Sequence, residues 1–149
     1  SSATYSETNM APRLKTLNGL VWDTAPQQAI IDLLKGMYPV NGVPTGPTDP
    51  ASAFSNTYVP AGWVSAGQPG IEIYNEVVKP YCRSCHVGAK ASKDWDSFLE
   101  FKNDLSLADD VCSDSGPMPQ AEQAQTRFWK SPARAHLANA FNIGGGCAP

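Results

Sequence analysis

Residues 69–86 read PGIEIYNEVVKPYCRSCH, and the predicted fold depends on the pattern of these residues. Its large apolar residues recur at intervals of three and four, the spacing of one helix face: Ile71, Tyr74, Val78 and Tyr81. Proline lacks a backbone N–H, and its ring clashes with the preceding turn of a helix. We therefore expect Pro80 to end or kink this helix just before Cys82.

Residues 82–86, CRSCH, form a C-x-x-C-H motif, the pattern that attaches a c-type haem. Two thiols separated by two residues on a helical turn can reach the two vinyl groups of one porphyrin. The adjacent histidine then meets the iron from the same side. The motif therefore predicts one covalently attached haem c, with Cys82 and Cys85 as thioether anchors and His86 as a ligand of the iron.

A C-x-x-C pair also occurs in other kinds of site. A thioredoxin-like redox pair is expected in a βαβ setting, for which the sequence gives no sign. A zinc site needs a second clustered pair, whereas the remaining cysteines, Cys112 and Cys147, stand far apart. The last alternative is that the C-x-x-C-H pattern occurs in this chain by chance. Haem attachment is favoured over each of these interpretations.

The iron of an electron carrier usually needs a sixth ligand, and a methionine thioether raises its potential. Met118 is the candidate, because it lies in the sequence Gly-Pro-Met118-Pro119, where the following proline favours an extended loop conformation. The alternatives are that Met118 is an ordinary loop or core methionine, and that His136 or no residue takes the position. The other thioethers in the chain belong to Met10 and Met37.

Further helices are predicted between the haem motif and the C-terminus. One fits residues 95–103, and the S-x-x-D pattern at residues 106–109 is suited to capping a short helix after it. Another follows Pro119 and restarts at residues 131–132, a serine cap followed by a first-turn proline. It is expected to end at the glycines of residues 144–146. We find no convincing alternating strand, so the sequence predicts an all-α fold.

This order of elements resembles the class I c-type cytochromes, the monohaem cytochrome c family. The resemblance covers about residues 69–141 and rests on a helix, the haem motif, intervening helices, Gly-Pro-Met118-Pro and a terminal helix. It implies a cytochrome c-like domain around one haem, in which the first and last helices cross and one haem edge is exposed. The sequence departs from the family at Pro80, which interrupts the helix before the motif, and in the long extension of residues 1–66.

Residues 1–66 are expected to form an irregular N-terminal extension that packs on the haem domain, residues 67–149. Residues 40–70 are dense in Pro, Gly, Ser, Thr and Asn, which is typical of a loop or linker. Before them, a capping box at residues 24–27 predicts a single helix that Pro39 stops. Its apolar face would consist of Ile30, Ile31, Leu34 and Met37.

The resemblance also implies export, because members of the family mature on the outer side of the bacterial cytoplasmic membrane or its organellar equivalent. We therefore expect a periplasmic or secreted protein whose signal peptide is absent from this mature chain. In such a compartment Cys112 and Cys147 are expected to form a disulfide bond. The alternative is two free thiols, since nothing in the sequence brings their Cα atoms within the roughly 7 Å that a bridge needs.

The composition of this chain of 149 residues excludes some classes of binding partner. Its net charge of −3 and its lack of long like-charged runs argue against nucleic acid and anionic membranes as partners. No stretch approaches the roughly 18 apolar residues of a membrane-spanning helix. The predicted function is electron transfer between redox protein partners by a monomeric carrier, with His86 and Met118 as axial ligands. The alternatives are a peroxidase-like haem enzyme or gas sensor with a labile sixth ligand, and a cytochrome module of a larger secreted redox enzyme.

Overall fold

The computed structural model describes residues 6–83, 95–104, 111 and 122–143. The chain divides into two compact units, Ser1–Pro60 and Ala61–Pro149. Helices predominate in the described residues of both units, and the sheet found there has only two short strands. The predicted all-α class is therefore confirmed. Every helix in this part of the chain is too short or too polar to cross a membrane.

In its described residues, the first unit consists of two helices, a hairpin and an irregular segment. Its elements are α1 (Glu7–Asp23), α2 (Gln28–Met37), β1 (Pro39–Val40) and β2 (Val43–Pro44). The strands pair antiparallel, with Val40 opposite Val43. Asn41 and Gly42 connect them with positive φ angles of 50° and 81°. A type I′ turn requires this left-handed geometry at both positions, which explains the Asn-Gly pair between the strands.

The N-terminal extension contains more regular structure than the single helix that the sequence predicts. α1 begins after Ser6, whose hydroxyl accepts a hydrogen bond from the N–H of Asn9 (3.4 Å). Thr24 was expected to cap α2, but it ends α1, where its hydroxyl donates to the carbonyl of Val21 (2.7 Å). α2 begins without a side-chain cap, so the capping-box prediction is wrong. The prediction of one helix missed α1, which contains Pro12 and has no clear apolar stripe.

Specific contacts hold the segment after the hairpin, which the sequence marks as loop or linker. Tyr38 is fully buried, and its hydroxyl accepts a hydrogen bond from Nδ2 of Asn18 (2.8 Å). Its ring centroid lies 5.9 Å from that of Phe54. The ammonium group of Lys15 donates to three backbone carbonyls of this segment, those of Asp49 (2.8 Å), Pro50 (3.4 Å) and Ser52 (2.5 Å). The segment is thus irregular but anchored to α1 and to the end of α2.

Two glycines in these helices are expected to respond in opposite ways to alanine. In α2, a Cβ atom at Gly36 would overlap the ring of Tyr58, so Gly36→Ala should lower the free energy of unfolding by about 1–3 kcal/mol. In α1, nothing lies within 4 Å of a Cβ atom at Gly19, so Gly19→Ala should raise it by about 0.5–1 kcal/mol. Urea denaturation measures both changes. Equal effects of the two substitutions would contradict the close packing of Gly36 against Tyr58.

The second unit is organised around the helix that leads to the haem motif. Its described elements are α3 (Ala61–Val64), α4 (Gln68–Ile73), a π-helical segment (Tyr74–Cys82), α5 (Phe98–Asn103), α6 (Glu122–Trp129) and α7 (Ala133–Phe141). The π-helical segment continues α4 without a break, and α3, α6 and α7 pack against this continuous helix. The short helix predicted at residues 106–109 lies outside the described residues.

The ends of α5 and α7 differ from the predicted ones by a few residues. Ser97 caps α5, because its hydroxyl accepts a hydrogen bond from the N–H of Glu100 (3.3 Å). At the start of α7, the hydroxyl of Ser131 accepts a backbone N–H (3.1 Å), in agreement with the predicted Ser-Pro start. α7 ends at Asn142, whose φ of 53° is left-handed, and not at residues 144–146. Asparagine adopts this conformation more readily than most residues, so it replaces the expected glycine.

The helix before the haem motif was expected to end or kink at Pro80; it does not end there, but runs through Pro80 in π-helical form. In an α-helix the proline ring would clash with the carbonyl four residues earlier. The π-helix spaces its hydrogen bonds five residues apart, and in this register the N–H of Arg83 donates to the carbonyl of Val78. The wider helix accommodates Pro80. Helical backbone therefore continues to Cys82, the first cysteine of the motif.

An aromatic cluster forms the core of the second unit. Trp63 is fully buried, and its ring centroid lies 5.3 Å from that of Tyr74 and 5.3 Å from that of Phe101. Phe101 in turn lies 5.1 Å from Trp95 and 5.5 Å from Phe141. The indole N–H of Trp63 donates to the backbone carbonyl of Trp95 (3.1 Å). The short helix α3 thus supplies the residue that connects the helix leading to the haem motif with α5.

Candidate functional site

The first cysteine of the haem motif lies at the C-terminal end of the π-helical segment. Cys82 is half-buried there, and Arg83 continues the helical backbone with φ −54° and ψ −37°. Residues three apart on a helix lie on the same face. The backbone is helical at Cys82 and Arg83. A helix that continued to residue 85 would direct the thiols of Cys82 and Cys85 to the same side.

The other predicted site residues lie outside the described residues. These are Cys85 and His86 of the haem motif, the predicted sixth ligand Met118, and the predicted disulfide pair Cys112 and Cys147. Their roles stay predictions. Within the described residues, no three His, Cys, Asp or Glu side chains come together in a way that would hold a metal ion.

Two helices from the C-terminal part of the chain pack against the helix that carries Cys82. α7 contacts both α4 and the π-helical segment, and α6 contacts the π-helical segment. The ring of Tyr81 meets that of Phe128 edge to face, with centroids 5.7 Å apart. Nδ1 of His136 on α7 lies 2.6 Å from a carboxylate oxygen of Glu72 on α4. The helix formed by α4 and the π-helical segment therefore packs against α7, the last helix among the described residues of the second unit, and the CRSCH motif follows this helix.

Two cationic side chains, Lys79 and Arg83, lie near the end of this helix. Arg83 donates a hydrogen bond to the hydroxyl of Tyr74 (3.2 Å). Burial raises the pKa of Tyr74 above its ordinary value of 10.0, and the hydrogen bond and charge of Arg83 oppose that rise. Burial also lowers the pKa of Lys79, and the positive charge of Arg83 adds to the effect. Arg83 thus places positive charge directly after Cys82 and beside a buried phenol.

His136, the alternative sixth ligand, lines a groove between α4, α5 and α7. The groove has a volume of about 400 Å³, and Glu72, Phe98 and Lys102 also line it. The ammonium group of Lys102 lies 5.9 Å from the centroid of the Phe98 ring. Nδ1 of His136 is engaged by the carboxylate of Glu72, so this histidine has a role in joining α7 to α4.

Comparison with known proteins gives no relative. No protein-family model, curated protein or solved structure matches this chain. The resemblance to the class I cytochromes therefore rests on the order of motifs in the sequence.

Sequence reasoning missed three features of the second unit. Trp63 lies in the stretch interpreted as linker, although a tryptophan among small and polar residues is itself a sign of local burial. The indole N–H of Trp95 donates to the carboxylate of Asp104 (3.2 Å) across α5. No local spacing rule predicts the contact between Glu72 and His136, because they come from distant parts of the chain.

Proposed function

We propose that this chain is a monohaem c-type cytochrome of class I that carries electrons between redox proteins. One observation carries the proposal: the CRSCH motif at residues 82–86 follows directly on a helix, and the backbone is helical at its first two residues. A C-x-x-C-H motif in that position has the residue types and the spacing of a haem attachment site. A redox cysteine pair is expected in a βαβ setting, and a zinc site needs a second clustered pair of ligands.

The residues of the motif fit the chemistry of haem attachment. Cys82 and Cys85 would hold the porphyrin through thioether bonds, and His86 and Met118 would bind the iron from opposite sides. Bound in this way, the haem supplies a one-electron couple between ferric and ferrous iron. The protein's part is to fix these four side chains and to exclude water from the iron. The close aromatic packing of the second unit supports that role, since Trp63 and Phe101 are fully buried in it.

The proposal includes the setting in which such a carrier works. Haem attachment of this kind takes place outside the cytoplasm in the family that the sequence resembles, so we propose a periplasmic or secreted protein. There Cys112 and Cys147 would pair as a disulfide. A filled coordination shell favours an electron carrier over a peroxidase-like enzyme or a gas sensor, because no open position remains at the iron.

The mass of the purified protein tests haem attachment. Expressed with a c-type cytochrome maturation system, the chain should weigh one haem more than its polypeptide, and it should keep that mass after denaturation with acid and organic solvent. The reason is that thioether bonds are covalent and survive unfolding. Cys85→Ala should retain at most one of the two linkages. Haem that extracts completely from the unmodified protein would refute the proposal.

A further inference from the structure

A continuous path of aromatic rings crosses the second unit. It begins at Tyr74 on the helix that carries Cys82, passes to Trp63 (5.3 Å between ring centroids), and reaches Phe101 (5.3 Å) and Trp95 (5.1 Å). Its oxidisable side chains are nearly or fully excluded from solvent: Tyr74 is 2% exposed, Trp63 0% and Trp95 4%. Tyrosine and tryptophan side chains can each give up one electron, whereas Phe101 cannot at comparable potentials. An electron therefore passes between the indoles of Trp63 and Trp95 in one step, with the Phe101 ring packed against both.

The two ends of this path have opposite polar surroundings. At one end, the hydroxyl of Tyr74 accepts a hydrogen bond from the guanidinium of Arg83 (3.2 Å). A positive charge there opposes the loss of an electron from the phenol. At the other end, the indole N–H of Trp95 donates to a carboxylate oxygen of Asp104 (3.2 Å). A negative charge and a proton acceptor at the indole favour its oxidation.

The backbone at Trp95 is held in an unusual conformation. Its φ of 42° lies in the left-handed region, which is a genuine outlier for a bulky residue. This conformation presents the carbonyl of Trp95 to the indole N–H of Trp63 (3.1 Å), while the Trp95 indole reaches Asp104. Strained backbone of this kind persists only where the surrounding contacts determine it. The arrangement joins the two indoles and the carboxylate in one hydrogen-bonded series.

We propose that Trp95 is a site of reversible one-electron oxidation, reached through Trp63, with Asp104 as its proton acceptor. The oxidant is an outer-sphere one-electron acceptor. It takes one electron from the Trp95 indole, either directly or after first oxidising Trp63. The Nε1–H bond of Trp95 breaks, its proton passes along the hydrogen bond to the Asp104 carboxylate, and a neutral indolyl radical remains. Return of one electron and of that proton restores both side chains. The site does not depend on haem attachment.

Flash photolysis with a ruthenium polypyridyl complex and an electron-accepting quencher tests this proposal. The ruthenium(III) complex formed by the flash is the oxidant, and any haem in the full-length protein is kept ferric so that ferrous iron does not supply the electron. We expect a long-lived neutral indolyl radical, identified by its visible absorption and its electron paramagnetic resonance spectrum. It should form more slowly in D2O, because the Nε1 proton moves in the same step.

Variants identify the residue that holds the radical. Trp95→Phe should lose most of the radical signal, whereas Trp22→Phe and Trp129→Phe, which change tryptophans outside the path, should keep it. Asp104→Asn preserves the size of the acceptor side chain but removes its charge and basicity, so the radical should decay several-fold faster. If Trp95→Phe does not fold, the Asp104→Asn comparison alone decides. An unchanged radical in Trp95→Phe, or an unchanged lifetime in Asp104→Asn, would overturn the proposal.

Discussion

Replacing Met118 by alanine is expected to turn a haem that binds external ligands slowly into one that binds carbon monoxide or cyanide rapidly. The proposed function makes the Met118 thioether the sixth ligand, so an incoming ligand must first displace it. Without the thioether, the position is open, and peroxidase turnover should rise as well. Stopped-flow mixing with carbon monoxide measures the first change, and oxidation of a chromogenic substrate by peroxide measures the second.

Histidine at the same position provides the matched comparison. Met118→His should keep the haem six-coordinate but lower its potential, because imidazole lacks the preference of a thioether for ferrous iron. Met10→Ala and Met37→Ala are the controls, because they remove the other two thioethers of the chain. They should leave the spectrum unchanged. Rapid carbon monoxide binding by the unmodified protein, or no change in Met118→Ala, would show that Met118 is not the ligand.

Trp63→Ala is expected to have the largest effect on stability among substitutions in the described core. The side chain is 0% exposed, contacts the rings of Tyr74 and Phe101, and donates a hydrogen bond to the carbonyl of Trp95. Removing a buried aromatic side chain costs about 3–5 kcal/mol. That is a large part of the roughly 5–15 kcal/mol by which natural domains are stable. Chemical denaturation, followed by far-ultraviolet circular dichroism, measures the loss.

The next residue of α3 offers a control for this substitution. Val64 is 48% exposed, so Val64→Ala should change the free energy of unfolding by no more than about 0.5 kcal/mol. Trp63→Phe keeps a ring but loses the hydrogen bond to Trp95, and it should fall between the two. If Trp63→Ala is as mild as Val64→Ala, the aromatic cluster is not the core of the second unit.

The helices that the sequence predicts are those with a strong apolar stripe or a clear start. α2 and the helix leading to Cys82 have a strong apolar stripe, and Ser131 gives α7 a clear start. α1 was missed because Pro12 lies within it and its apolar residues do not form a clear stripe, and in the structure its Leu17 and Leu20 are exposed. Pro80 was expected to end or kink its helix, because the rule against proline assumes α-helical spacing, whereas the observed helix is π-helical there.

The candidate site was predictable to the extent that its chemistry is local. The spacing of Cys82, Cys85 and His86 is visible in five consecutive residues. The contacts that position the helix before them are not local. Trp63 and Trp95 meet through a backbone carbonyl, and Glu72 reaches His136 only after α7 has packed on α4. Such pairs depend on the complete fold, and a single sequence holds no spacing rule for them.

The π-helical segment makes the number of residues before the haem motif as important as their identity. Its register runs through the hydrogen bond from the N–H of Arg83 to the carbonyl of Val78. In an α-helix each residue turns the chain by about 100° about the axis, whereas a π-helix, with hydrogen bonds five residues apart, turns it by less. If one residue between Tyr74 and Cys82 were deleted and the segment became α-helical, the larger turn per residue would offset the lost residue, and Cys82 would stay on about the same side of the helix. A deletion that left the π-helical hydrogen bonds intact would redirect Cys82, so loss of a residue here is tolerated only together with loss of the π-helix.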